Sequence, residues 1–553
     1  MSKNIKLGDL AMIEVKGEHK EEFSVEEAID DEELECDLYD NVNLRKPWKL
    51  GLFYDKVGQA FTHKIVFARV ALYPFFGVYL NIPGHMYAAL TSIFPMFWSL
   101  KFFWGFLSDS KPIFGRGRIY YMALGWLVSI FAYTIALCLP YPEPYYQVAN
   151  CTMDVTMVNN PDAPNAGMVY VAIMALGVFG VGITDLASDA LVVDYVKREP
   201  LKHRGRSNIF AQMCSTFGGV LLFLTVGVLL NSPPYGGKFC SLNFTFRHIL
   251  IILLCISVLG FINSCFLTFE TQTKKAQVNL MEIVRKFWSF MHYRVFQRCA
   301  VLFIIVPSLY SAKSSANVKI RKNWAKVEPF YGSMTGVGVA LLVILGMYVL
   351  QRFFLHISWK KLFCYTKLYI VAVSVVVEGL TIFDFVRSQY FYFSEDLLTS
   401  VALATCGFIM LQVAAEVSEK GLEALTFGML MTNWTISASF SVIIGNIISA
   451  PFRVNDDERY HRDSLEDRWA VFGSVLAASC VNVLAVPVFV LLCPSDRSEV
   501  KALKASLGKS KLQAQIYAAV FCLGYVFIFV FNAMMMMPQT QCYEIIGGEG
   551  CNI

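Results

Sequence analysis

The chain has 553 residues, of which 56% are hydrophobic and 14% aromatic, with a mean hydropathy of +0.50. A water-soluble domain cannot hide that much apolar surface, so the class is an all-α polytopic membrane protein with the lipid bilayer as its solvent. A net charge of +4 gives no reason to expect nucleic acid as a partner, and there is no CxxC, HExxH, GxSxG or P-loop sequence, so neither a metal, a cofactor nor an enzymatic centre is called for.

In chain order, residues 1–64 read as an acidic cytosolic tail. Glu26, Glu27, Asp30, Asp31, Glu32, Glu33 and Glu35 carry its charge, and it lacks apolar periodicity. It does not resemble a secretory signal, because the first long apolar run starts near Ile65. Apolar windows of about twenty residues then fall near 65–80, 86–107, 119–140, 168–190, 207–230 and 248–269. They resume near 296–318, 331–351, 362–386, 396–416, 424–450 and 469–492, with a further run at 515–537. The expected organisation is a six-helix half over 65–270, a linker over 271–295, and a second six-helix half over 296–493. A basic loop, an extra transmembrane helix and a tail follow over 494–553. Six plus six is the coarse repeat of a major facilitator fold.

The linker reads as a basic amphipathic helix on the inner leaflet. Leu280, Met281, Val284, Phe287, Trp288 and Met291 share one face, with Arg285, Lys286 and Arg294 off it. Loops expected on the cytosolic side hold about 22 Lys and Arg, against about 11 outside. The N-terminus is therefore expected in the cytosol. Two sequons, at Asn150 and Asn243, fall in expected outer loops and are candidates for glycosylation. Cys151 and Cys240 lie beside them and can form a disulfide there.

Two stretches carry the functional reading. The first is WSLKFFWGFLSDSKPIFGRGR, from Trp98 to Arg118. An apolar helix ends at Asp109, a turn punctuated by Pro112 and Gly115 follows, and Arg118 opens the next helix. The second is GITDLASDALVVDYVKREPLKHRGRSN, at the end of the fourth span. Asp185 and Asp189 are four apart and share a helix face. Asp194, Glu199 and Arg204 follow at the membrane boundary. Ionisable groups inside a span are costly and usually functional. Paired carboxylates there suit a site that takes up and releases a proton; static pairing with basic residues would need the same residue types.

These two stretches resemble the folate–biopterin transporter family of the major facilitator superfamily. The resemblance implies two six-helix bundles moving folates, pterins or related pteridines by alternating access, typically with protons. It also implies that Asp109, Pro112, Gly115, Arg118, Asp194, Glu199 and Arg204 gate the cytosolic face. A carrier of another solute such as S-adenosylmethionine, or a non-transporting sensor, remains open on the same fold. The plasma membrane is the expected location.

A pterin ring calls for aromatic stacking and amide-like hydrogen bonds, and folate carboxylates call for Arg or Lys. Arg69, Lys101, Lys313 and Glu378 lie within spans and join Asp185 and Asp189 as candidates for substrate or proton coupling. At 1.5 Å per residue, Lys101 and Asp185 lie about 22 and 26 Å from the outer starts of their spans. They are therefore expected to meet as a pair.

Overall fold

The computed structural model describes residues 51–67, 72–82, 94, 97–110, 118–149, 152–199, 205–237, 239–240, 244–268, 280–354, 357–419, 421–454, 457–506, 508–536, 540 and 543. The first half contains α1 (Gly51–Phe67), α2 (Lys101–Ser110), α3 (Ile119–Cys138), α4 (Ala163–Arg198), α5 (Arg206–Leu229) and α6 (Phe246–Phe266). Next comes α7 (Leu280–Met291). The second half contains α8 (Arg294–Tyr310), the short α9 (Ala316–Lys319), α10 (Pro329–Val349), α11 (Trp359–Ile382), α12 (Gln389–Val417) and α13 (Glu423–Ser449). It is completed by α14 (Asp457–Arg462) and α15 (Leu465–Leu492), and α16 (Arg497–Ser506) and α17 (Lys511–Met536) follow. Among the described residues, ten helices are long and apolar enough to cross a membrane.

The halves meet along two seams, α2 against α13 and α5 against α10. Counted as spans these are two with eleven and five with eight. Exchanging the halves turns one pair into the other, so the six-plus-six repeat is also a symmetry of packing. Small residues allow the close approaches on which such bundles depend. A Cβ on Gly125 of α3 would lie 2.5 Å from the Gly180 carbonyl of α4, and one on Gly180 would lie 2.6 Å from the Gly125 carbonyl. At the first seam, a Cβ on Gly105 would lie 3.1 Å from Leu425 Cα.

Several expectations change. The segment 51–64, assigned to the tail, is helical and packed; the first span starts earlier than Ile65. The loop after α3 forms an antiparallel ribbon of β1 (Tyr146–Ala149) and β2 (Thr152–Val158). The linker helix α7 exists, but its inward face is Ile283, Phe287, Phe290 and Met291. Leu280, Met281 and Val284 are exposed instead. The reason is Phe287, which sits against Phe102 and Phe106 of α2 and Phe296 of α8 and so rotates the helix. The run near 515–537 forms α17, which packs on both halves: Phe521 meets Phe102, and Asn433 donates to the Tyr517 hydroxyl at 2.7 Å.

The seventh span is not continuous. Helix α8 stops at Tyr310 and the chain unwinds through Ser311–Ser314 before α9. A broken span must satisfy its freed carbonyls from neighbours. Lys367 of α11 donates to the Tyr310 carbonyl at 2.9 Å, and Asn482 of α15 donates to the Ala312 carbonyl at 2.6 Å. Gly445 admits the unwound chain, because a Cβ there would lie 2.2 Å from the Lys313 carbonyl.

The Gly125–Gly180 contact predicts a strong local sensitivity. Gly125→Ala should destabilise the folded protein by about 1–3 kcal/mol through overpacking. Gly407→Ala, whose Cβ meets nothing closer than 3.7 Å, should be neutral or slightly stabilising. Unfolding of the purified variants in detergent measures both. Equal stability of the two would remove the close approach as a constraint.

Candidate functional site

Helix α4 is 36 residues long, about 54 Å at 1.5 Å per residue, so it outruns the bilayer core. Its middle carries Asp185 and Asp189, and its end carries Asp194 and Lys197. These face two separate charge clusters.

The inner cluster joins α1, α2 and α4. Lys101 Nζ donates to Asp185 Oδ2 at 2.9 Å, so the expected pair is in contact. Lys56, which sequence reasoning had left in the tail, donates to Asp185 Oδ1 at 3.2 Å and also to Asp189 Oδ1. Two lysines and two aspartates thus offset one another. Behind them Asp55 accepts from Trp126 Nε1 at 2.7 Å and from Gln59 Nε2 at 2.6 Å, while Ser188 donates to Gln59 Oε1 at 3.1 Å. Lys101 also lies 4.7 Å from the centre of the Trp98 ring, which stacks on His63 at 5.1 Å.

His63 and Lys64 line a cavity of about 1520 Å³ between the halves. Its wall includes Asn231 and Tyr235 at one end and Glu328 beside them; this is the cavity end of the molecule. The broken seventh span runs down the wall and presents Lys313, Asn317 and Arg321. Glu378 of α11 lines the same cavity, and its Oε1 accepts from Asn317 at 2.7 Å. Lys313 and Glu378 therefore share a site with each other, on the half opposite Asp185 and Asp189. Arg69 lies outside the described residues.

The outer cluster closes the other end. Arg118 donates to Glu423 Oε2 of α13 at 2.7 Å, lies 3.1 Å from Asp194 Oδ2, and donates to the Ala190 carbonyl at 3.0 Å. Lys197 lies 3.8 Å from Glu423. Asp109 Oδ2 accepts the Leu425 N–H at 3.0 Å. Asp109 and Arg118 of the first half thus both grip the start of α13 in the second. Glu423 is the partner that sequence reasoning missed.

Glu199 does something else. It accepts the N–H groups of Gly205, Arg206 and Ser207 at 2.5, 3.0 and 2.7 Å and so caps α5. Pro112, Gly115 and Arg204 lie outside the described residues, as do Asn150, Asn243 and Cys151. Cys240 is disulfide-bonded.

A charged cluster thus joins the two halves at one end, and a large cavity lies between them at the other. The model of the BT1 family matches residues 64–507. The chain belongs to the BT1 family, the folate–biopterin transporters. This family member is 20% identical over 433 residues to Folate transporter 1 of Plasmodium falciparum (isolate 3D7), a match covering 76% of each chain. Among solved structures it resembles a D-xylose–proton symporter at 12% identity and a TM-score of 0.54, covering 81% of this chain and 97% of that one. It also resembles the peptide transporter POT in complex with alafosfalin, at 14% identity and a TM-score of 0.50, covering 80% and 94%. The BT1 chain is a multi-pass membrane transporter with the major facilitator fold, as the sequence led us to expect.

The lock gives a direct prediction. Ser110, 1% exposed, sits at the locked end. In a chain cleared of other reactive thiols, Ser110→Cys should resist a water-soluble thiol reagent. Adding Arg118→Gln or Glu423→Gln should raise its labelling severalfold, and both together should do no more than the stronger single change. Labelling that ignores both substitutions would show that these charges do not hold the end shut.

Proposed function

We propose that this BT1 transporter carries folate, biopterin or a related pteridine by alternating access, coupled to protons. The observation that carries the reading is the cavity itself, closed at the Arg118–Glu423 end and walled by both halves. Tyr310, Phe330, Tyr331 and Phe393 supply ring surfaces, and Lys64, Lys313 and Arg321 supply positive charge. Those are the groups a flat heterocycle with a carboxylate tail requires. The basic loop at 196–206 supports a cytosolic locked end. In the plasma membrane, that orientation loads substrate from outside.

Proton coupling falls to the inner cluster. An unpaired charge at that depth would cost roughly 2.5–3.5 kcal/mol, so each carboxylate keeps a lysine. Asp185 holds two lysines and Asp189 holds one. Asp189 can therefore exchange its partner for a proton with the smaller rearrangement, while Lys56 stays held by Asp185.

Uptake of labelled folate and biopterin into proteoliposomes, with an imposed pH gradient, tests this. The parent should accumulate substrate above the external concentration. Asp189→Asn should lose accumulation yet still exchange labelled for unlabelled substrate. Accumulation of a different solute alone would sink the pteridine reading, and binding without accumulation would make the protein a sensor.

A further inference from the structure

Two carboxylates in the second half are not absorbed by the proton cluster or the lock. Glu378 of α11 and Glu395 of α12 both line the cavity, with 4% and 7% of their surface exposed. Each is anchored through one oxygen. Glu378 Oε1 takes the Asn317 amide at 2.7 Å, and Glu395 Oε1 takes the Ser374 hydroxyl at 2.7 Å. Ser374 and Glu378 are four apart on α11 and so share a face. Among the described residues, the second oxygen of each carboxylate has no hydrogen-bond partner, and neither side chain forms an ion pair. Lys313 lines the same cavity without bonding to either.

Neither second oxygen is sealed inside the protein, so both are open to the cavity and available to the donors of a ligand there. A metal ion fits poorly. Two remaining carboxylate oxygens fall far short of the six or more that calcium takes, and zinc prefers nitrogen and sulfur ligands. Two acceptors held in place by their other oxygens suit a ligand that carries adjacent N–H donors on a rigid edge. Charge-assisted bonds of that kind are strong and directional.

We propose that Glu378 and Glu395 form the subsite that reads the 2-amino-4-oxopyrimidine edge of a pterin ring, taking its 2-amino and N3–H donors on their second oxygens. This rests on the pteridine reading above and adds the chemical feature by which the substrate is selected. Phe393, close in sequence to Glu395, and Tyr310, at the end of α8, line the same cavity and offer faces for the ring. The broken span contributes through Asn317, which fixes Glu378. The remaining cavity volume is left for whatever the ring carries.

The test compares pterin with lumazine, which has a carbonyl in place of the 2-amino group. A carboxylate accepts from the first and is repelled by the carbonyl of the second. Binding is measured by equilibrium dialysis on the full chain purified in detergent. The parent should prefer pterin by at least about tenfold, since a site built for an N–H donor rejects an analogue lacking it. Of Glu378→Gln and Glu395→Gln, the change at whichever residue takes the 2-amino group should shrink that preference to under about threefold, because a glutamine amide can donate to the lumazine carbonyl. The change at the other, which meets the N3–H that both ligands carry, should weaken both ligands alike. Glu395→Asp keeps the charge and should keep the preference at weaker affinity, and it serves if a glutamine variant fails to fold. Equal binding of the two ligands by the parent, or undiminished preference in both glutamine variants, would overturn the subsite and leave the pteridine reading intact. A parent that binds neither folate, biopterin nor pterin would remove that reading and the subsite with it.

Discussion

A charge within the bilayer is costly unless it is paired, and in the first half of this transporter that rule decides which helices sit together. Lys101 reaches Asp185 from α2, and Lys56 reaches Asp185 and Asp189 from α1. Three helices of the first half are thereby held in one register. At the membrane boundary Arg118 satisfies Asp194 within its own half and Glu423 across the seam. The same kind of bond therefore builds one half and closes it against the other. Only the second use has to be undone for the halves to rock. The Asp109 bond to the Leu425 N–H, and the backbone approach at Gly105, reinforce the closed seam.

The second half solves a different problem. Its first span breaks at Ser311, and the freed carbonyls are taken up by Lys367 and Asn482. Lys367 Nζ also bonds Asn482 Oδ1 at 2.7 Å, so the two satisfy one another as well as the chain. Ser314 meets Ser474 at 2.9 Å and Ser449 at 3.2 Å, which ties the break to α15 and α13. Irregular backbone at membrane depth is tolerated where it is buried in protein or lines a cavity. Here it does both, and it sets Lys313 and Asn317 in the cavity wall. A break tied to its neighbours through Tyr310, Ala312 and Ser314 suits a binding surface, while the first half's cluster keeps partners that can be exchanged.

The fold class was legible in hydropathy alone, because each span is long and apolar enough to stand out. The Lys101–Asp185 contact was also legible, since helical rise places both at one depth and an isolated charge there is intolerable. Lys56 was not. Asp55, Lys56, His63 and Lys64 lower the hydropathy of α1 until it reads as part of the tail, and the partners of Asp55, Lys56 and Lys64 on α3, α4 and α5 lie more than sixty residues away. Glu423 escaped because it sits one residue before an apolar window, where an acidic residue normally faces water. Glu395 stood just outside a window for the same reason. The seventh span read as continuous because unwinding depends on Lys367 and Asn482, donors far off in the chain. The packed side of α7 was not legible because a helical wheel counts apolar residues without knowing that Phe102 and Phe106 wait for Phe287.

The central claim is that a locked end and an open end exchange states when substrate binds. Pairs of spin labels report this directly, one pair at Leu107 and Lys361 on the locked end, the other at Met157 and Phe385 on the cavity end; all four side chains are exposed. Distances between them are measured by pulsed paramagnetic resonance with and without folate. Folate should lengthen the Leu107–Lys361 distance and shorten the Met157–Phe385 distance in the same fraction of molecules. Distances that stay fixed at both ends with folate bound, or that lengthen at both together, would contradict alternating access around this cavity.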